Sequence, residues 1–209
     1  MQRELLPLFP LEVVLFPRTP LPLHVFEDRY KEMIGEAIRD QTEFGIVQAG
    51  EKGIMNPGCT AVVEKVLKQY PDGRMDLVAS GRRRFEIILL NDEKSYLRGA
   101  VDFFDDEELD PVVPEFQQKA LDGYRALVEL ESSAPANEPE LTDPQLSFQL
   151  AQLLPDLDFR QLLLGTRSEA QRMKQLADFL PGYVIRQRRV VQMRQVAPRN
   201  GHGRHITGL

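Results

Sequence analysis

The chain has 209 residues, enough for one or two domains, and its 42% hydrophobic and 28% charged residues suit a globular protein that can bury a core. A single cysteine, Cys59, excludes an intramolecular disulfide and a cysteine-based zinc site and fits a reducing compartment. No apolar run approaches the ~18 residues of a membrane span, and Pro7 and Pro10 break the stretch a secretory leader needs, so the expected location is cytoplasmic with no membrane partner.

The net charge of −6 is unevenly spread: −2 over residues 1–104, −12 over 105–158 and +8 over 159–209. Solvated helix faces are the first reading of this split, and a basic tail for an anionic partner is the second.

In chain order, residues 4–8 and 12–16 are short strand candidates broken by prolines, which fix φ, remove donors and push the preceding residue toward extended geometry. From Asp28 to Asp40, Tyr30, Met33, Ile34, Ala37 and Ile38 recur at helical spacing and predict an amphipathic helix. Residues 44–47 read as a short buried strand. Residues 60–69 and 75–80 form a predicted hairpin with Asp72-Gly73 at its turn. Two further strands follow at 84–90 and 96–104. Several short strands at this spacing favour a small barrel or a sandwich.

The charged breaker at 105–111 marks the predicted boundary between a first domain, 1–105, and a helical domain, 114–197. A helix starts near Pro114 with Phe116, Ala120, Leu121, Tyr124, Leu127 and Val128 on one face. Residues 132–140 read as a loop. Asp143-Pro144 is an expected helix start, Pro155 a stop, and Phe159–Leu164 a short helix ended by Gly165. Ser168 with Gln171 predicts a capping box for a helix through Leu180. A separate last helix is expected over 181–196, and residues 198–209 as a frayed tail.

Catalytic motifs are missing. Gly45 to Lys52 approximates a phosphate loop until Glu51 intrudes where lysine is required, so a strand and its turn is the reading. Ser80-Gly81 stands between two predicted strands, the wrong context for a nucleophile elbow. His24, His202 and His205 are too scattered for one catalytic or metal site. His24 is expected to be a hydrogen-bonded structural residue, and Arg29 to pair with a carboxylate. Arg82-Arg83-Arg84 is the sharpest basic cluster of the first domain, with strand alternation expected to put Arg83 opposite the other two. Phe85 or Tyr70 could supply a stacking platform for RNA. The net acidity of residues 1–104 disfavours nucleic acid. A second basic set lies at Arg186, Arg188, Arg189, Arg194, Arg199 and Arg204.

The opening, Leu6-Pro7-Leu8-Phe9-Pro10-Leu11 through Phe16-Pro17, Leu21-Pro22-Leu23 and Glu27 to Tyr30, resembles the substrate-binding N-terminal domain of the Lon (La) ATP-dependent proteases, in its stand-alone bacterial form. Phe44-Gly45-Ile46-Val47, Gly58 with Thr60, Pro71-Asp72-Gly73-Arg74, Gly81-x-x-Arg84-Phe85, Leu153-Leu154-Pro155, Gln161-Leu162-Leu163 and Arg172 with Leu176 follow in the family's order, over about 1–180. The chain departs from the family at Arg18, where glycine is common, at Asp28, where proline is usual, and at Cys59.

The resemblance implies an α+β protein: a PUA-like small β-barrel with one inserted helix, followed by a C-terminal helical bundle. It also implies a non-catalytic module, without ATPase or peptidase parts, that recognises unfolded or extended polypeptide, with a separate protease as a further partner. No cofactor, metal or catalytic residue is expected. The expected contacts to polypeptide are Phe16, Leu21, Leu23 and Phe26, with plain core packing as the competing role for the same apolar side chains. RNA binding is the alternative function, because PUA-like folds also serve RNA recognition.

Overall fold

The computed structural model describes residues 5–51, 53–107, 110–130 and 138–196. The tail 198–209, with His202, His205, Arg199 and Arg204, and most of the expected loop 132–140 lie outside them. The chain forms two compact units: residues 1–109 with 154–168, and residues 110–153 with 169–209. The helix expected at Phe159–Leu164 therefore belongs to the unit that contains the strands, whereas the sequence reading grouped it with the helical domain.

The first unit is built from β1 (Leu6–Leu11), β2 (Pro20–Val25), α1 (Asp28–Asp40), β3 (Phe44–Gly50), β4 (Gly53–Ile54), β5 (Gly58–Gln69), β6 (Met75–Asn91), β7 (Arg98–Phe104) and, later in the chain, α4 (Leu157–Gly165). The sheet runs β1-β7-β6-β5-β3, and a parallel β1–β3 pairing closes it, so the small barrel is the form adopted. β2 pairs with the first half of β6, Pro20 opposite Ser80 through Val25 opposite Met75.

Helix α1 keeps its predicted bounds and buries Tyr30, Met33, Ile34 and Ala37. Its C-cap, Gln41, takes the left-handed conformation at φ 53° and donates its amide to the Ala37 carbonyl. The hairpin turns where Asp72-Gly73 predicts, with Gly73 at φ 85° and Gln69 opposite Met75. Residues 12–16 are not a strand; they form a segment whose Val14, Leu15 and Phe16 are buried. The two strands expected at 75–80 and 84–90 are one strand of 17 residues. It bends at a bulge, because Cys59 pairs with Arg84 and Ala61 with Gly81, leaving Arg82 and Arg83 together opposite Thr60.

The glycines of the sequence pattern mark close approaches around Phe85. A β-carbon on Gly45 would lie 2.7 Å, and one on Gly58 2.5 Å, from the Phe85 ring. Phe85 itself is fully buried and packs with Leu8 and Val47.

Segment 154–168 is tied to the sheet by polar side chains. The buried Arg84 donates to the Leu164 and Thr166 carbonyls at 3.2 and 2.8 Å and pairs with Asp106 at 2.7 Å. Gln161 donates to the Pro57 carbonyl, and Arg160 to that of Val14. Helix α4 is capped by Asp156, whose carboxylate accepts from the Phe159 amide.

The second unit contains α2 (Pro114–Leu130), α3 (Leu146–Ala151) and α5 (Glu169–Val196). Ala120, Leu121, Tyr124 and Leu127 of α2 are buried, four of the six predicted face positions. Helix α3 begins at Leu146, later than expected, because the Asp143 carboxylate accepts from the Gln145 amide and makes a turn first. The two helices expected at 168–180 and 181–196 are one 28-residue helix that carries Pro181 inside it. Arg172, with no exposed surface, reaches Ser147 Oγ at 2.9 Å and Glu169 at 2.7 Å, joining α3 to α5. Burial pushes the Glu169 carboxyl up, against the pull of Ser147 and Arg172.

Candidate functional site

The first unit has a groove of about 420 Å³ where β1, the end of β2 and the start of α1 meet, beside a larger hollow of about 790 Å³ lined by Met33, Glu36, Tyr96 and Arg98. The groove's volume is in the range of small ligand sites. Residues 9–11 form one wall, His24, Val25 and Phe26 another, and Arg29 and Tyr30 of α1 the third. Phe9 stacks on Tyr30 with ring centres 4.1 Å apart, and the Arg29 guanidinium covers the same tyrosine at 4.6 Å. Arg29 is also paired with Glu27 at 2.7 Å, as expected of it. Phe26 is 59% exposed, and its ring stacks on His24.

His24 stands opposite Asp76 in the β2–β6 ladder, and its Nδ1 lies 2.5 Å from an Asp76 oxygen. The other Asp76 oxygen accepts from the Tyr70 hydroxyl at 2.8 Å. These two bonds, His24 first, hold the Asp76 carboxyl below its usual range. Lys68 and Arg74 lie over the Tyr70 ring at 4.3 and 4.9 Å.

Two strand edges border this region. β7 reaches only Leu6 and Pro7 of β1, so among the described residues Phe9 to Leu11 have β3 as their one ladder partner. β2 pairs with β6 alone in the described ladder, but prolines lack the donor that faces a neighbour. Pro20 and Pro22 therefore take the positions directed at the open side and strip it of donors. On β1 the Leu8 amide donates to the Leu97 carbonyl, so Pro10, two residues on, takes the same side and leaves the edge beyond with a carbonyl but no amide donor.

The four expected polypeptide contacts separate. Phe16 has no exposed surface and lies beneath the Arg160 guanidinium at 5.0 Å, so it is a core residue and cannot meet a ligand. Leu21 and Leu23 are half-buried, on the face of β2 that also buries Val25. Phe26 alone is fully presented. Phe9, Tyr30, Asp76 and Tyr70 were not singled out by sequence as parts of such a site. Asp76 lies 52 residues from His24, and only the β2–β6 pairing reveals the contact.

The arginine triplet does not make one patch. Arg84 is buried, and Arg83 lies on the Phe103 ring at 3.8 Å and pairs with Glu43 at 3.2 Å. The bulge, which exposes Arg82 and Arg83 together, overrides the expected alternation. In the second basic set, Arg186, Arg188 and Arg189 are exposed on α5. The phosphate-loop resemblance resolves into β3, which runs from Phe44 to Gly50. Among the described residues, no three His, Cys, Asp or Glu side chains are grouped to hold a metal ion. No described helix is long and apolar enough to cross a membrane. Burial pushes the Cys59 thiol up to about 12, which leaves it protonated and unreactive at neutral pH.

Comparison with known proteins agrees with this architecture. A Lon N-terminal domain protein from Xanthomonas campestris superposes with a TM-score of 0.69 at 26% identity, over 85% of this chain and 99% of that one. The N-terminal domain of Mycobacterium avium complex Lon protease gives a TM-score of 0.62 over 85% of this chain and 98% of that one, and at 17% identity it supports the fold alone. Lon protease 2 of Myxococcus xanthus is 27% identical over 85% of this chain, and Lon protease of Parabacteroides distasonis 29% identical over 54%. The chain spans 23% and 15% of the length of those two relatives. Residues 5–182 match the family model of the ATP-dependent protease La (LON) substrate-binding domain, and the chain belongs to that family.

Proposed function

We propose that the first unit captures extended or unfolded polypeptide, with an apolar side chain of the bound segment seated in the groove against Phe26, Phe9 and Tyr30. The observation that carries this reading is Phe26: a phenylalanine 59% exposed at the mouth of an aromatic-walled groove, where burial is the usual state of that residue. Leu21 and Leu23 lend apolar surface beside it. At the β1 edge the Pro10 carbonyl can accept a main-chain hydrogen bond from an extended segment.

The reading is of a binding module rather than a catalyst, supported by the match of residues 5–182 to a substrate-binding domain. It includes a cytoplasmic site of action, supported by the single buried cysteine. It also includes a protease as the recipient of captured segments, supported by the names of the relatives.

Fluorescence anisotropy with a labelled, reduced and carboxymethylated polypeptide tests it. Phe26→Asp should weaken binding at least about tenfold. Leu162→Asp, at another exposed apolar position on α4, should leave it unchanged. Equal affinity of wild type and Phe26→Asp would overturn the reading. So would retention of structured RNA, with affinity falling steeply in salt, by a protein that ignores unfolded polypeptide.

A further inference from the structure

We infer that His24 sets the hydrogen-bond polarity of the groove, presenting Nε2 as an acceptor to a main-chain N–H of the bound segment, with Asp76 as its positioning residue. This rests on the groove being the polypeptide site.

An ionised carboxylate only accepts hydrogen bonds, so the short Nδ1 contact to Asp76 places a proton on Nδ1. In the neutral ring, Nε2 then carries the lone pair. Tyr70 holds Asp76 from its other oxygen, so the carboxylate has one orientation in which to receive the imidazole. The ring plane is restrained as well. Phe26 stacks on it at 5.8 Å and 24°, and Tyr70 meets it edge-on at 6.1 Å and 84°.

The pair is exposed, with 47% of the His24 side chain and 32% of the Asp76 side chain in contact with solvent, and exposed ion pairs add little to stability. A purely structural role leaves unexplained why three side chains orient one imidazole at the lip of an aromatic groove. Neighbouring Pro20 and Pro22 remove donors from the open edge of β2, whereas His24 adds a side-chain acceptor at the end of that strand. The groove therefore selects a segment with a free amide beside its anchoring apolar residue. It rejects one with proline or an N-methylated residue there.

The test uses a fluorescein-labelled decapeptide of alanine and serine with one central phenylalanine, together with a set N-methylated at each successive position. Wild type should bind the parent, and one N-methylated peptide should bind about tenfold more weakly, the effect of one lost hydrogen bond that strands its partner. His24→Asn and Asp76→Asn should each weaken the parent about tenfold and abolish the discrimination against that peptide. The imidazole ¹⁵N shifts of wild type should report Nδ1–H. Those of Asp76→Asn should move to Nε2–H, a change that a merely structural contact would not couple to peptide selectivity. Equal binding of all N-methylated peptides by wild type would overturn the inference while leaving the groove reading intact. Full affinity of both variants, in a protein where Phe26→Asp abolishes binding, would do the same. No binding of the parent by wild type would overturn both.

Discussion

Gly81 passes so close to Phe16 that a β-carbon placed on it would stand 2.1 Å from the Phe16 carbonyl oxygen. The approach is fixed by two backbone bonds, from the Arg18 amide to the Gly81 carbonyl at 2.8 Å and from the Gly81 amide to the Thr19 carbonyl at 3.0 Å. The obstructing atom is backbone, so it cannot rotate aside. Gly81→Ala should lower stability by on the order of 3 kcal/mol, the upper range for overpacking. A urea melt checks this, and an unchanged midpoint would show that the two segments can separate.

The turn that Gly81 supports contains Arg18 at φ 58°, and helix α1 ends at Gln41 with φ 53°. Both are left-handed conformations that a side chain disfavours and glycine accepts. The turn is thus kept although a residue with a long side chain occupies the left-handed position. Gln41→Gly should stabilise the protein by about 0.5–1 kcal/mol, because it supplies the usual residue of a left-handed helix cap. Arg18→Gly should change stability in the same direction. Thermal melts would show the midpoint rising for each.

Arg84 and Arg172 are the largest fully buried side chains among the described residues, and Arg84 satisfies two carbonyls and one carboxylate. Arg84→Met removes the cation and leaves Asp106 and the carbonyls of Leu164 and Thr166 without it. The expected cost is about 3–5 kcal/mol. Amide exchange should rise first in segment 154–168, where these contacts are made. Arg84→Lys should not restore stability, since a point charge cannot reach three acceptors as the guanidinium fork does. Recovery by lysine would contradict that account.

Glu36 accepts from Tyr96 at 2.5 Å and Lys94 at 2.9 Å, and these bonds, the tyrosine first, hold its carboxyl below the usual value. A carboxyl lowered in the folded state binds its proton more readily once unfolded. Its contribution is therefore fully present above the ordinary glutamate range and lost as pH falls through the lowered folded value. Tyr96→Phe should move the Glu36 titration, read by NMR, back toward the ordinary value. An unmoved titration in that variant would assign the shift to Lys94 instead.

Local pattern carried a large part of this architecture. Helix α1 was legible because four buried residues recur at helical spacing between acidic and polar ends, and the β5–β6 hairpin because Asp72-Gly73 suits a tight turn. Both depend on residues only a few positions apart. The errors fell where a distant partner outweighed a local signal. Pro181 reads as a helix start, yet α5 runs through it. Residues 12–16 look like a strand, but Val14, Leu15 and Phe16 are buried without one.

What the amino-acid order determined by itself was the inventory: strands first and helices after, prolines that leave an edge poor in donors, and glycines where chains must touch. Each follows from the conformational preferences of single residues and their near neighbours. Only the tertiary structure decided that Phe16 lies in the core while Phe26 stands open, that Arg84 is buried while Arg83 is not, and that His24 meets Asp76. Those outcomes depend on which strands pair and where a bulge falls, and such long-range contacts leave no mark on the spacing of residues along the chain.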